Sequence, residues 1–149
     1  AFVSVHLIAS SEPVRKCGVT TFVLDTTNNR QAMRLAAREN GTRVAEVTGI
    51  QSLLAKYHRR TQTAGSKSLA DAVQRNTLKR GRAVLPKLAD RGVRSAMFYV
   101  LVGARMPAVL LEASFITYGP EARALAHPRY RKALADGIAS GIVSYLRSL

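Results

Sequence analysis

The chain has 149 residues, about one domain's worth. Its 23 Lys and Arg face only 9 Asp and Glu, a formal net charge of +14, and 47% of its residues are hydrophobic. This composition excludes a disordered polyelectrolyte, a collagen-like repeat and a coiled coil, and the single Cys17 excludes an internal disulfide and a multi-cysteine zinc knot. No apolar run approaches the roughly 20 residues that a membrane span needs. The charge balance points to anionic partners. Its densest stretch sets Arg75, Lys79, Arg80, Arg82, Lys87, Arg91 and Arg94 against Asp90 alone. No aromatics interleave it, which speaks against single-stranded nucleic acid as the partner.

Phe2 to Ile8 has strand length and is apolar apart from Ser4 and His6. A chain that opens this way reads as a strand already under way, so a piece of a longer protein is expected. Gly18 to Leu24 is β-branched and aromatic and predicts a second strand. Asp25 to Asn29 offers helix caps, Gln31 to Glu39 a first helix, and Asn40-Gly41 its stop. Val47 to Tyr57 carries Ile50, Leu53, Leu54 and Tyr57 at helical spacing. Gly65-Ser66 is expected to break the helix, and Ser68 to Leu78 to form a third. Arg80 to Arg91, with Gly81 and Pro86, reads as a surface connection. Phe98 to Val102 predicts a strand. Ala108 to Ile116 is nearly all apolar and predicts a strand buried on both faces of a parallel sheet. A short helix from Pro120 to Leu125 and a long one from Arg129 to Leu149 complete an α/β alternation.

Two residues interrupt these apolar runs. Glu112 sits in Val109-Leu110-Leu111-Glu112-Ala113-Ser114-Phe115, and His6 in Val3-Ser4-Val5-His6-Leu7-Ile8. A buried carboxylate costs several kcal/mol unless paired, protonated or placed by a metal, so Glu112 is the first candidate for chemistry. The plainer alternative pairs it with a base such as Arg105 or places it at the strand's end near water. His6 is either a functional ring or a hydrogen-bonded core histidine. His58 lies in a charged run and His127 precedes Pro128, and neither has a second ligand at helical or strand spacing. There is no His-Glu-x-x-His motif, phosphate loop or nucleophile elbow. Ser10, Ser11, Ser114 and Cys17 have no evident base, so nucleophilic catalysis has no support.

At these residues the chain resembles a known family. Phe2-Val3-Ser4-Val5-His6, Gly18 to Leu24, Leu35 to Asn40, Ser68-Leu69-Ala70, Gly92-Val93-Arg94 and, above all, Met106-Pro107-Ala108-Val109-Leu110-Leu111-Glu112-Ala113-Ser114-Phe115-Ile116 are similar, in order, to the zinc-dependent N-acetylmuramoyl-L-alanine amidases of bacterial cell walls. The resemblance implies an α/β fold, a twisted, mainly parallel sheet with helices on both faces. Residues 1–149 would then be the C-terminal two-thirds or so of the catalytic domain. It implies Zn2+ as cofactor, His6 as one metal ligand, and Glu112 as the catalytic carboxylate acting on a zinc-activated water. The family's other histidine and its ligand glutamate belong upstream of Ala1. Implied partners are peptidoglycan, anionic wall polymers and a protein activator, with no specific nucleic acid, and the implied location is the periplasm or the cell wall. Two positions depart from the family pattern: Ile8 and Tyr118 each stand where the family usually has Asn. Some members carry an inhibitory helix where Val44 to Thr63 lies here, with Glu46 as its candidate zinc-capping carboxylate. The alternative function is a non-catalytic basic domain that binds anionic wall polymer.

Overall fold

The computed structural model describes residues 1–10, 18–54 and 60–149, with backbone alone at 50–54 and 60–63. In chain order it runs β1 (Phe2–Ile8), β2 (Val19–Leu24), α1 (Arg30–Glu39), α2 (Val44–Leu54), α3 (Arg60–Arg82), β3 (Asp90–Ala96), a 3₁₀ turn (Tyr99–Leu101), β4 (Ala108–Phe115), α4 (Gly119–Ala126) and α5 (Pro128–Leu146). The four strands form one sheet in the order β1-β4-β2-β3. β1 pairs with β4 and β2 with β3 in parallel, while β2 and β4 run antiparallel. The sheet is therefore mainly parallel, as expected. Within it β4 has one parallel and one antiparallel neighbour, and all eight of its residues are buried.

Helices cover both faces because the strand residues alternate. Val19, Val23, Val109 and Leu111 pack against Leu69 and Val73 of α3 and Tyr130, Leu134 and Tyr145 of α5. Phe22, Ala108 and Leu110 pack on the other side against Ala32 and Ala36 of α1 and against Phe98 and Leu101. α3 and α5 approach closely because α5 has glycine where they cross. An ideal Cβ at Gly137 would lie 2.6 Å from Thr77 Cα, and one at Gly141 2.6 Å from Val73 Cα.

Three expectations need correction. Phe98 to Val102 is not a strand. Phe98 makes an edge-on contact with Phe22 at 5.1 Å between ring centroids, and Leu101 is 1% exposed, so the segment fills core as a 3₁₀ turn. The strand lies earlier, at Asp90–Ala96, starting in the last two residues of the Arg80 to Arg91 stretch that reads as a surface connection. Nor does Gly65-Ser66 break a helix: α3 runs through it to Arg82. Gly65 faces Pro107, and the Ser66 hydroxyl accepts the N–H of Ala108 at 3.0 Å, tying α3 to the start of β4. The second helix begins at Val44 and is described to Leu54. Tyr57, His58 and Cys17 lie outside the described residues.

Candidate active site

β4 carries Glu112 between two neighbours in register. His6 of β1 is its partner on one side and Thr20 of β2 on the other. Glu112 follows Leu110 on the face covered by α1, since alternate residues of a strand share a face. The two residues singled out in the sequence are thus brought side by side.

α1 adds a third ionisable group. Asn29 caps the helix by accepting the N–H groups of Gln31 and Ala32, and the helix ends at Glu39. Asn40 then fastens that end to the sheet. Its side-chain amide donates to Met97 O at 2.8 Å and accepts from Tyr99 N–H at 2.9 Å. Glu39 Oε2 is thereby held 3.1 Å from His6 Nδ1. A carboxylate only accepts, so Nδ1 carries the proton. In the neutral ring Nε2 then keeps a lone pair, and the Ser4 hydroxyl, 3.0 Å away, donates to it. Arg38 lies against Glu39 with Nε 3.4 Å from Oε1, and also donates to Ala9 O.

Glu112 is 0% exposed, and neither carboxylate oxygen has a hydrogen-bond partner among the described residues. Burial, and secondarily the negative charge of Glu39, push its pKa from 4.5 up to about 8, with Arg38 acting in the opposite direction. Such a carboxyl can carry a proton near neutrality, which suits a general acid or base. Pairing with Arg105 does not occur, because that residue is exposed in the turn leading into β4. His127 stands at the N-cap position of α5, with no capping hydrogen bond from its side chain.

Beyond Glu112 the strand is irregular. His6 pairs with Glu112 but Ile8 with Phe115, so β4 takes three steps where β1 takes two. Phe115 consequently packs with Ile8, Leu35 and Tyr118 on the α1 side. Ile8 and Tyr118, the two departures from the family pattern, therefore share one apolar cluster with Phe115. Ser114 turns instead to α4 and α5. Its hydroxyl donates to Glu121 Oε2 at 2.8 Å and lies 3.2 Å from the Tyr130 hydroxyl, while Phe115 N–H donates to the same Glu121 oxygen at 2.7 Å. Glu121 is 2% exposed. Burial pushes its pKa up, opposed by these two bonds and by the charge of Arg91. The Arg91 guanidinium also stands 5.3 Å from the Phe115 ring centroid.

Sequence reasoning missed Glu39 and Glu121, which look like ordinary charges at a helix end and a helix start. Glu46 does not reach this row: its carboxylate meets Thr42 and Arg43 around the first turn of α2. Among the described residues no group of three or more His, Cys, Asp or Glu is placed to hold a metal ion. None of the described helices is long and apolar enough to cross a membrane.

Comparison with known proteins places the chain and its fold. The chain is 32% identical over 154 residues to the amidase AmiA of Escherichia coli K12, an alignment covering 97% of this chain and 51% of AmiA. It is 39% identical over 97 residues to LytC of Bacillus subtilis 168, covering 61% of this chain and 17% of LytC. It thus spans about half or less of these relatives. Among solved structures, an N-acetylmuramoyl-L-alanine amidase from Clostridium difficile 630 superposes with a TM-score of 0.65 at 27% identity, covering 98% of this chain and 57% of that one. The CwlD amidase from Clostridioides difficile, solved with the GerS lipoprotein, has the same fold, with a TM-score of 0.63 at 22% identity over 99% of this chain and 55% of its own. The Amidase_3 profile, described as N-acetylmuramoyl-L-alanine amidase, matches residues 1–144, and the chain belongs to that family.

Proposed function

We propose that residues 1–149 form the C-terminal two-thirds or so of the catalytic domain of a zinc-dependent peptidoglycan hydrolase. The bond cut joins the lactyl group of N-acetylmuramic acid to the first L-alanine of the stem peptide. The observation that carries this reading is Glu112: fully buried, both oxygens without a partner among the described residues, and in register with His6. Family membership supplies the reaction class.

The donor chemistry present fits zinc in part. His6 offers Nε2 while a carboxylate holds Nδ1, an arrangement common to histidines that bind metals. The negative charge of Glu39, which bears on Glu112, is one that a dication would offset. The described residues do not complete a three-ligand set, so in this reading further ligands lie outside them. Bound zinc would supply a polarised carbonyl and an acidified water. Glu112 takes the proton of the attacking water and hands it to the leaving amine nitrogen. Glu39 holds His6 in one tautomer. The +14 charge favours approach to anionic wall polymers. A protein activator belongs to the proposal, since the CwlD amidase was solved with GerS. The place of action is the periplasm or the wall.

The test is product analysis. Peptidoglycan treated with the whole protein that contains this chain should release stem peptides with a free N-terminal L-alanine, seen by mass spectrometry. Cleavage at a glycosidic or peptide bond instead refutes it. A second reading, a non-catalytic domain binding anionic wall polymer, draws on the exposed Arg75, Lys79, Arg80 and Lys87. It calls for salt-sensitive sedimentation with sacculi and no released peptide.

A further inference from the structure

The buried carboxylate of Glu121 has no part in the proton transfers assigned to Glu112, yet it sits at the irregularity that follows Glu112. In a regular strand Ser114 would share the face of Leu110 and Glu112, two residues apart. The extra residue in β4 between the His6–Glu112 and Ile8–Phe115 pairs reverses this. Phe115 takes the α1 face, against Ile8 and Leu35, and Ser114 turns away towards Tyr130. A bulge disrupts the ladder and leaves its backbone groups in need of partners. Here one Glu121 oxygen accepts both the Phe115 N–H at 2.7 Å and the Ser114 hydroxyl at 2.8 Å. Hydrogen bonds to a buried charged acceptor are among the stronger ones, so they favour this register over the regular one.

We propose that Glu121 is a positioning residue for the hydrolysis: its carboxylate clamps the bulge that sets Phe115, rather than the Ser114 hydroxyl, beside Glu112. The clamp sets the apolar Phe115 cluster at the bulge after Glu112 and fixes the strand that carries it. This rests on the role given to Glu112 above.

The test uses the whole protein that contains this chain, with Glu121→Ala, Glu121→Gln and Ser114→Ala. Glu121→Ala should lower kcat about tenfold or more with KM within about twofold, and speed amide exchange at Phe115 about tenfold. Glu121→Gln keeps a carbonyl oxygen that can accept both bonds, and should stay within about threefold of the parent in kcat and exchange. Where Glu121→Ala fails to fold, Ser114→Ala removes one arm of the clamp and should lower kcat by about threefold. A folded Glu121→Ala protein with parental kcat, KM and Phe115 exchange overturns the proposal. So does a protein that only loses stability while kcat stays parental. A parent without amidase turnover overturns the functional reading instead, and the exchange measurement then decides the clamp by itself.

Discussion

The carboxylate of Glu39 accepts the Nδ1 proton of His6 at 3.1 Å, although the two residues are 33 positions apart. The contact exists because Asn40 ties the end of α1 to the backbone at Met97 and Tyr99. It fixes the tautomer that leaves Nε2 able to act as a ligand. Glu39→Ala should therefore weaken zinc binding by the whole protein roughly tenfold, read by competition with a chromophoric chelator. Unchanged affinity would mean that the ring is oriented by other groups.

Glu112 makes stability depend on pH in a defined direction. Its pKa in the folded chain is about 8 against an ordinary 4.5, so between these values the folded state holds a proton that the unfolded state has released. Stability is thus fully present below about pH 4.5 and falls as pH rises through 8. The whole effect is on the order of 5 kcal/mol. In metal-free protein the urea midpoint should drop between pH 5 and pH 9. Glu112→Gln should flatten that slope and be the more stable protein above pH 8.

The crossing of α3 and α5 tolerates no side chain at Gly137 or Gly141, where a Cβ would meet backbone atoms of Thr77 and Val73 at 2.6 Å. Alanine gains about 1 kcal/mol of helix propensity but forces the helices apart. Gly141→Ala should be net destabilising by about 1–2 kcal/mol in urea unfolding. A gain in stability would contradict this packing.

Among the described residues β1 lies at one edge of the sheet, with Val5 53% and Leu7 44% exposed. An apolar edge strand with free backbone groups is a template for self-pairing. The 149-residue chain should therefore self-associate, and Val5→Lys with Leu7→Lys should reduce light scattering while leaving the melting temperature within a few degrees. A monodisperse parent chain would overturn this expectation.

The parts of the fold that were legible in the sequence are those where burial alone decides. β4 is apolar from Ala108 to Phe115 apart from Glu112 and Ser114, and its central place in the sheet follows. The same background made Glu112 and His6 stand out. β3 was not legible, because Asp90-Arg91-Gly92-Val93-Arg94-Ser95-Ala96 has weak strand propensity and is a strand by pairing with β2. Phe98 to Val102 misled for the converse reason: Phe98 and Leu101 fill core from a 3₁₀ turn without a ladder, while the β-branched Val100 and Val102 stand exposed. Glu39 and Glu121 carry no local signal, since their roles arise only when α1 and α4 dock on the sheet.

The measurement that bears most directly on the account is peptidoglycan turnover by the Glu112→Gln variant of the whole protein, with zinc content determined on the same sample. Loss of a general acid–base carboxylate should reduce kcat about 100-fold to 10,000-fold while bound zinc stays at the parental level. A variant that turns over within about tenfold of the parent would show that Glu112 is not the proton carrier, and the site would have to be sought elsewhere in the chain.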